Sequence, residues 1–156
     1  MKSQLDNSDR IILALIQEDN TLGLEHIASK CCLSVTSVQR RLKKMRKDKT
    51  IDKEIAVINP AAVDQNMTFI ITVKLERERL DMLDAFRNMI RKDTQVQQCY
   101  YVTGEADFII ICTARNMKDF EVLTHRLFFD NQNVRSFKTS VVMDRTKVGL
   151  SVLTNE

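Results

Sequence analysis

Seven cationic side chains crowd residues 40–49, a stretch that contains one acidic residue, Asp48. They are Arg40, Arg41, Lys43, Lys44, Arg46, Lys47 and Lys49. The net charge of the 156-residue chain is only +3, and residues 1–60 account for all of it, with 11 Lys and Arg against 8 Asp and Glu. Residues 61–156 hold 13 of each class. A local cationic block in a nearly neutral chain predicts a polyanionic partner, first of all double-stranded DNA.

A helical projection separates the residues of this block that could contact DNA bases from those that could contact phosphates. With about 100° per residue and Val38 pointing inward, the cations and their polar neighbours lie on the outer side. In a helix docked in the major groove, the first residues meet base edges and later cations meet phosphates. The residues predicted to read bases are Thr36, Ser37, Gln39 and Arg40. Those predicted for the DNA backbone are Lys43, Lys44 and Lys47, and Arg41 is assigned to the DNA-binding set without a finer role. The competing interpretation is a merely solvated helix face.

A second constellation is the run Gly104-Glu105-Ala106-Asp107, preceded by Thr103. A glycine lets the backbone approach a ligand and offer an N–H group to a carboxylate. Either acidic residue could pair with an ammonium group. Gly and Asp are also common turn formers, and the residues alone favour a plain β-turn.

The remaining reactive side chains predict neither a metal site nor catalysis. Cys31 and Cys32 are adjacent, but a structural zinc site needs four ligands, and His26 and His125 lie far apart. No catalytic triad or phosphate-binding loop is evident, and no cofactor is expected. A redox role of the cysteine pair stays open. The first residues lack a signal-peptide pattern and no apolar run could span a bilayer, so a cytoplasmic protein without a membrane partner is expected.

The elements that must position these residues are helical at first. Asp6 predicts a helix start, a short helix follows from about Gly23, and Ser34 predicts the start of a third helix that ends near Lys47. Three short helices with a tight break before the third form a helix-turn-helix. The β-branched segment 51–58 predicts a strand or small hairpin, which makes the unit winged. The only proline, Pro60, marks the predicted boundary between a DNA-binding domain of residues 1–60 and a ligand-sensing, oligomerising domain of residues 61–156.

The second domain is predicted to alternate strands and helices in the order βαββαβ, the ferredoxin-like arrangement. The predicted strands are residues 68–75, 96–102, 108–113 and 134–143, and the predicted helices are 80–91 and 117–129. In the third strand Ile109 and Ile111 alternate with Phe108 and Ile110, so both faces of the sheet are apolar. One layer of helices covers one face only, which predicts that another subunit or domain covers the other. The fold class is therefore α+β.

Five stretches, in this order, resemble the Lrp/AsnC (feast/famine) family of prokaryotic transcription regulators over about residues 5–150. They are LDNSDRIILALIQED, LSVTSVQRRLKKM, IAVINP, VTGEADFIII and TSVVMDRTK. The resemblance implies a sequence-specific transcription regulator whose oligomeric state or DNA affinity responds to a small effector, an amino acid in many members. It implies homodimers through the sheets, which often assemble into octamers.

The resemblance also implies where the effector binds, near a Gly-x-x-Asp loop at a contact between dimers, which the final strand approaches. The ligand-binding residues so implied are Thr103, Gly104, Glu105, Asp107, Thr139 and Ser140. Three positions depart from the family pattern. Cys32 and Thr50 stand where glycines are usual, and residues 150–152 read Leu-Ser-Val instead of Leu-Pro-Leu.

Two other functions share these features. An effector-independent architectural protein that wraps DNA would look the same in sequence. Sirohaem decarboxylases resemble this family too, but they place histidine around their tetrapyrrole, and residues 98–101 contain none. Catalysis is therefore not expected.

Overall fold

A computed structural model describes residues 4–154 of the chain. Two compact units are distinguished by their internal contacts. The first comprises Met1–Val57 and Lys147–Glu156, and the second comprises Ile58–Thr146. The division expected from the sequence, at residue 60, assigned the C-terminal segment to the second domain, whereas its contacts place it with the first unit.

The first unit contains three helices, α1 (Asn7–Glu18), α2 (Leu24–Cys31) and α3 (Val35–Lys47). α1 begins with a reciprocal cap, because the Asp6 carboxylate accepts the Asp9 N–H at 2.8 Å and the Asp9 carboxylate accepts the Asp6 N–H at 3.2 Å. Such a cap satisfies two backbone donors that a helix start leaves open. The buried apolar side chains are Ile12, Ile27, Ala28, Cys31, Val38, Leu42 and Met45. The predicted helix-turn-helix is confirmed.

The turn between α2 and α3 contains a residue in the left-handed conformation. Cys32 has φ 53° and ψ 42°. The Leu33 N–H donates to the Ala28 carbonyl at 3.0 Å, and the Cys32 N–H donates to the Ser29 carbonyl at 3.4 Å. This pair of bonds is the helix-ending motif in which glycine is preferred at the left-handed position. The backbone thus explains why a glycine is usual where this chain has cysteine.

Residues 51–58 are all described, and none of them lies in a helix or a strand. The predicted strand, and with it the wing of a winged helix-turn-helix, is wrong for the single chain. A strand needs a neighbour for its backbone N–H and C=O groups. The described part of this chain offers these residues none, and the side chains of Ile55, Val57 and Ile58 are exposed.

The C-terminal segment of the first unit is fastened to α1. The Gln17 side-chain amide donates to the Val152 carbonyl at 3.1 Å and accepts the Val152 N–H at 2.8 Å. Arg10 donates from Nη1 to the Thr154 carbonyl at 2.8 Å. Arg10 and Gln17 are seven residues apart, so they lie on the same face of α1.

The second unit is the ferredoxin-like domain that the sequence predicts. Its strands are β1 (Met67–Leu75), β2 (Val96–Tyr101), β3 (Phe108–Ala114) and β4 (Val134–Val141). Its helices are α4 (Leu80–Lys92) and α5 (Met117–Thr124), and α5 continues as a π-helical turn over His125–Phe129. A 3₁₀ turn, Pro60–Val63, precedes β1. The sheet is antiparallel with strand order β2-β3-β1-β4.

The two faces of this sheet have different environments. The face toward α4 and α5 forms the core, which contains Phe69, Ile71, Val73, Phe86, Phe108, Ile110, Leu123 and Phe128. On the opposite face Ile111 pairs with Ile70, and Ile109 pairs with Tyr100. Ile109 and Ile111 are half-buried, while Ile70 and Tyr100 are exposed by 39% and 48%. We call these four residues the open sheet face. Within the described chain it has no covering layer, as the alternation predicts.

Candidate nucleic-acid interface and effector loop

Helix α3 begins at Ser34, whose side chain fixes the first turn. Ser34 Oγ accepts the Ser37 N–H at 3.2 Å and donates to Ser37 Oγ at 3.0 Å. The Ser37 hydroxyl oxygen therefore accepts a hydrogen bond from Ser34, and its own O–H group can donate to an acceptor outside the helix. Val38, Leu42 and Met45 are buried at i, i+4 and i+7, which turns the other side of α3 toward solvent.

This outer side of α3 carries the residues predicted to contact DNA. Thr36, Gln39, Arg40, Lys43, Lys44 and Lys47 are all exposed, and Ser37 is half-buried. Among residues 4–154, no carboxylate lies within ion-pairing distance of Arg40, Lys43, Lys44 or Lys47. These residues form one exposed surface, which we call the α3 face. It carries polar donors at the N-terminal end of the helix and cations further along.

Arg41, the other member of the predicted DNA-binding set, is directed elsewhere. Its Nη1 lies 2.7 Å from Asp6 Oδ2 and 2.7 Å from Asp9 Oδ1, both on the first turn of α1. The Arg41 side chain is only 23% exposed. The hydrogen bonds to Asp9 and Asp6 raise the pKa of Arg41. The pKa of Asp6 is lowered by the hydrogen bond from the Asp9 backbone and then by Arg41. Because its charge is compensated inside the unit, Arg41 does not belong to the exposed α3 face.

Arg46 is also held by an acidic partner. Its Nε and Nη2 donate to the two carboxylate oxygens of Glu54 at 2.8 and 2.7 Å. This contact holds the pKa of Glu54 below its usual value. It also ties Glu54, in the segment after α3, to the end of that helix. Apart from the acidic residues themselves, nothing in the sequence indicated either pairing.

The predicted effector loop lies between β2 and β3 and is fastened to β1. Asp107 accepts the Leu75 N–H at 2.6 Å through Oδ2 and donates its own N–H to the Val73 carbonyl at 2.9 Å. Gly104 has φ +122°, a value that favours glycine strongly. Thr103 and Glu105 are exposed. The carboxylate of Asp107 therefore holds the loop in place, while that of Glu105 is open to solvent.

Thr139 and Ser140, the other two residues implied for the effector site, lie on the edge strand β4. Thr139 pairs with Ile71 and Ser140 with Ile70 of β1. Since β1 lies between β4 and β3, one chain does not bring these residues into the loop. A site that uses both groups would need a second chain.

The cysteines and histidines are dispersed. Cys31 and Cys112 are buried and Cys32 is exposed. Burial raises the pKa of the Cys31 thiol and raises that of Cys112 to about 12. His125 packs on Phe129 with ring centroids 4.8 Å apart. Across the described residues, no group of three or more His, Cys, Asp and Glu side chains is arranged to hold a metal ion. Within the same residues no helix is both long and apolar enough to cross a membrane.

Two family profiles match the chain. The AsnC-type helix-turn-helix domain matches residues 5–46, and the Lrp/AsnC ligand binding domain matches residues 68–152. An HTH-type transcriptional regulator of Sinorhizobium fredii is 44% identical over 149 residues, which are 96% of this chain and 88% of that protein. The leucine-responsive regulatory protein of Escherichia coli K12 is 24% identical over 143 residues, which cover 92% of this chain and 87% of that protein.

Solved structures agree with these matches. A complex of a transcriptional regulator from Neisseria meningitidis with L-Met has a TM-score of 0.88 and 25% identity, over 96% of each chain. An AsnC family transcriptional regulator from Agrobacterium tumefaciens has a TM-score of 0.88 and 24% identity, over 95% of this chain and 96% of that one, and supports the fold. The relatives are named as regulators of transcription. With both domains matched in order along most of its length, this chain belongs to the Lrp/AsnC family of helix-turn-helix transcriptional regulators.

Proposed function

We propose that this regulator reads a specific operator with α3 and that a small effector of the amino-acid class changes its DNA affinity or its state of assembly. The observation that carries the DNA-binding half is the exposed α3 face, where polar donors precede cations that have no ion-pair partner within residues 4–154. Thr36, Ser37, Gln39 and Arg40 would contact base edges. Lys43, Lys44 and Lys47 would contact phosphates, which fix the register of the helix without reading sequence. Arg41 is left out of this set.

The effector half of the proposal rests on the ligand-binding domain and on the loop at residues 103–107. The structural relative from Neisseria meningitidis was solved with L-Met, which makes an amino acid the first class to test. In this chain Gly104 would allow a ligand carboxylate close to the backbone, and Glu105 would face its ammonium group. Asp107 would act through the loop, since its carboxylate already accepts a backbone N–H. Thr139 and Ser140 would contribute from another subunit.

We further propose that two copies of the chain pair through the open sheet face and that such dimers assemble further, up to octamers. Ile70, Tyr100, Ile109 and Ile111 form a contiguous apolar area on adjacent strands. Contiguous exposed apolar surface of this kind marks an interface. Replacing Ile70 with Lys should shift the molar mass measured by light scattering toward the monomer. Replacing Met143, an equally apolar but 95% exposed residue, with Lys should leave it unchanged.

The DNA-binding proposal is tested by selection from a random 30-bp duplex library, followed by anisotropy titrations on the enriched duplex and a scrambled one. Arg40→Ala should cost about 1–3 kcal/mol on the enriched duplex and much less on the scrambled one. Lys43→Ala should weaken both equally and reduce the salt slope by about 1. Lys118→Ala, in α5, is the matched control and should change neither. Equal affinity of the wild-type protein for both duplexes would instead show an architectural, sequence-independent DNA binder.

The effector proposal is tested by thermal shift against L-methionine and the other nineteen amino acids, because a ligand that binds the folded form raises the apparent stability. Glu105→Gln should abolish a shift that the wild-type protein shows, with Glu121→Gln as the matched control. Retention of the full shift in Glu105→Gln would remove Glu105 from the site. The absence of any shift in the wild-type protein would contradict an amino-acid effector and leave the DNA-binding proposal standing.

A further inference from the structure

Helix α3 is joined to α1 by a compact ionic cluster that the DNA-binding proposal does not use. One nitrogen of Arg41, Nη1, bridges Asp6 and Asp9 at 2.7 Å each. The side chains of Asp9, Arg41 and Asp6 are 10%, 23% and 53% exposed, so solvent screens the contact with Asp9 less than the contact with Asp6. We call it the Arg41 clamp. A cleft of about 280 Å³ borders it, and Arg40 and Lys44 of the α3 face line the same cleft.

The α1 side of the clamp is also held by hydrogen bonds that do not involve Arg41. Asp6 and Asp9 hold each other through the reciprocal cap, in which each carboxylate accepts the other residue's backbone N–H. Their free oxygens are therefore presented in one geometry. A charged hydrogen bond to such a preorganised acceptor is directional, so it constrains the rotation of α3 in addition to the core packing of Val38, Leu42 and Met45.

We infer that Arg41 is a positioning residue that sets the rotation of α3 about its axis and thereby aims the residues that read bases. Arg41 directly follows Arg40 in the helix, so the clamp and the proposed base contact are about 100° apart on the same turn. A small rotation of α3 would displace the tips of Thr36, Gln39 and Arg40 from their base edges. Contacts to phosphates tolerate such a shift better, since cations on flexible stems can follow the backbone.

This inference rests on the proposed reading of DNA by α3, and it predicts a loss of specificity rather than of general affinity. The alternative is that Arg41 leaves the clamp and binds a phosphate itself. The two cases differ in their salt dependence, because each phosphate contact contributes about 0.9 to the slope of log K against log salt concentration. A positioning residue contributes nothing to that slope.

The decisive variant is Asp6→Asn. Asparagine caps a helix as well as aspartate does, so the cap of α1 is kept while one charge of the clamp is lost. Removing a negative charge should raise affinity for any DNA if Coulomb attraction were all that mattered. The clamp predicts the opposite on the selected site, where affinity should fall about tenfold while affinity for the scrambled duplex stays level or rises. Asp48→Asn removes an acidic charge at the end of α3 outside the clamp, and should leave the ratio of the two affinities unchanged.

Arg41 itself is tested with two replacements in the full-length protein, after urea titrations have shown each variant to be folded at the assay temperature. Arg41→Met should reduce the ratio of selected to scrambled affinity about tenfold or more, with the wild-type salt slope on the scrambled duplex. Arg41→Lys, whose ammonium can still bridge two carboxylates, should recover part of the ratio.

Three results would overturn the inference. An unchanged ratio in both Arg41→Met and Asp6→Asn would mean that the clamp does not aim α3. A salt slope that falls by about 0.9 in Arg41→Met would make Arg41 a phosphate contact. Failure of the library selection to enrich any sequence would refute the proposed specific DNA reading itself, which is recognisable before any variant is made, and the inference would fall with it.

Discussion

Replacing Cys32 with glycine relieves a backbone conformation that an L-residue adopts at a cost. Cys32 has φ 53° and ψ 42° at the end of α2, where the hydrogen bonds of the turn require the left-handed region. This conformation costs an L-residue about 1–2 kcal/mol. Its thiol side chain is exposed, so removing it loses no buried apolar contacts. Glycine also loses more chain entropy on folding, about 0.5–1 kcal/mol, which offsets part of the relief. The expected net gain in the free energy of unfolding is therefore about 0.5–1 kcal/mol.

The assay is urea unfolding under reducing conditions, followed by far-UV circular dichroism, to which the helices of both units contribute. Cys32→Ala is the matched control, because it also removes the thiol but keeps the strained backbone, and its stability should stay within about 0.5 kcal/mol of the wild type. Thr36→Gly, within α3, should lose about 0.3 kcal/mol because glycine is a poorer helix former than threonine, which would show that glycine does not stabilise this unit generally. If Cys32→Gly is no more stable than Cys32→Ala, the left-handed backbone at residue 32 does not lower the free energy of unfolding, and the reasoning is refuted.

Three further changes test other parts of the structure. Gly104→Ala should destabilise the protein by about 1–3 kcal/mol in thermal or urea unfolding because φ is +122°, whereas Gly149→Ala, where an added Cβ also meets nothing, should have little effect. Gln17→Ala removes both hydrogen bonds to Val152 and should speed hydrogen exchange of the Val152 N–H up to about fivefold. Glu18→Ala is the control. Unchanged exchange in Gln17→Ala would show that Gln17 does not hold the C-terminal segment. Burial raises the pKa of the Cys112 thiol from 9.0 to about 12, so the unfolded thiol ionises first and the free energy of unfolding should fall as pH rises from about 9. Cys112→Ala should show a shallower fall, and identical pH slopes would contradict the burial argument.

Most of the predicted elements match the structure because their signals are local. Asp6 and Ser34 start helices as N-caps, and the strands of the second unit carry runs of β-branched and aromatic residues. The open sheet face was also predictable, since Ile109 and Ile111 alternate with buried residues along one strand. In each case a residue's immediate neighbours decide the outcome.

The predictions that failed or changed depend on partners far along the chain. The segment 51–58 has the composition of a strand but no neighbouring strand within the described residues. The C-terminal segment contacts Gln17, which lies 135 residues before Val152.

The sequence by itself determined the two-domain plan, the order of strands and helices and the exposed cationic face of α3, because periodicity and capping act over a few residues. Only the tertiary structure decided which charges are available. It placed Asp6 and Asp9 beside Arg41, 35 and 32 residues away, and Asp107 beside Leu75, 32 residues away. An ion pair or a side-chain hydrogen bond is set by distance in space, and sequence spacing fixes that distance only within one helix or strand. For this reason the sequence could name the charged residues, while the fold separated those free to bind from those that hold the molecule together.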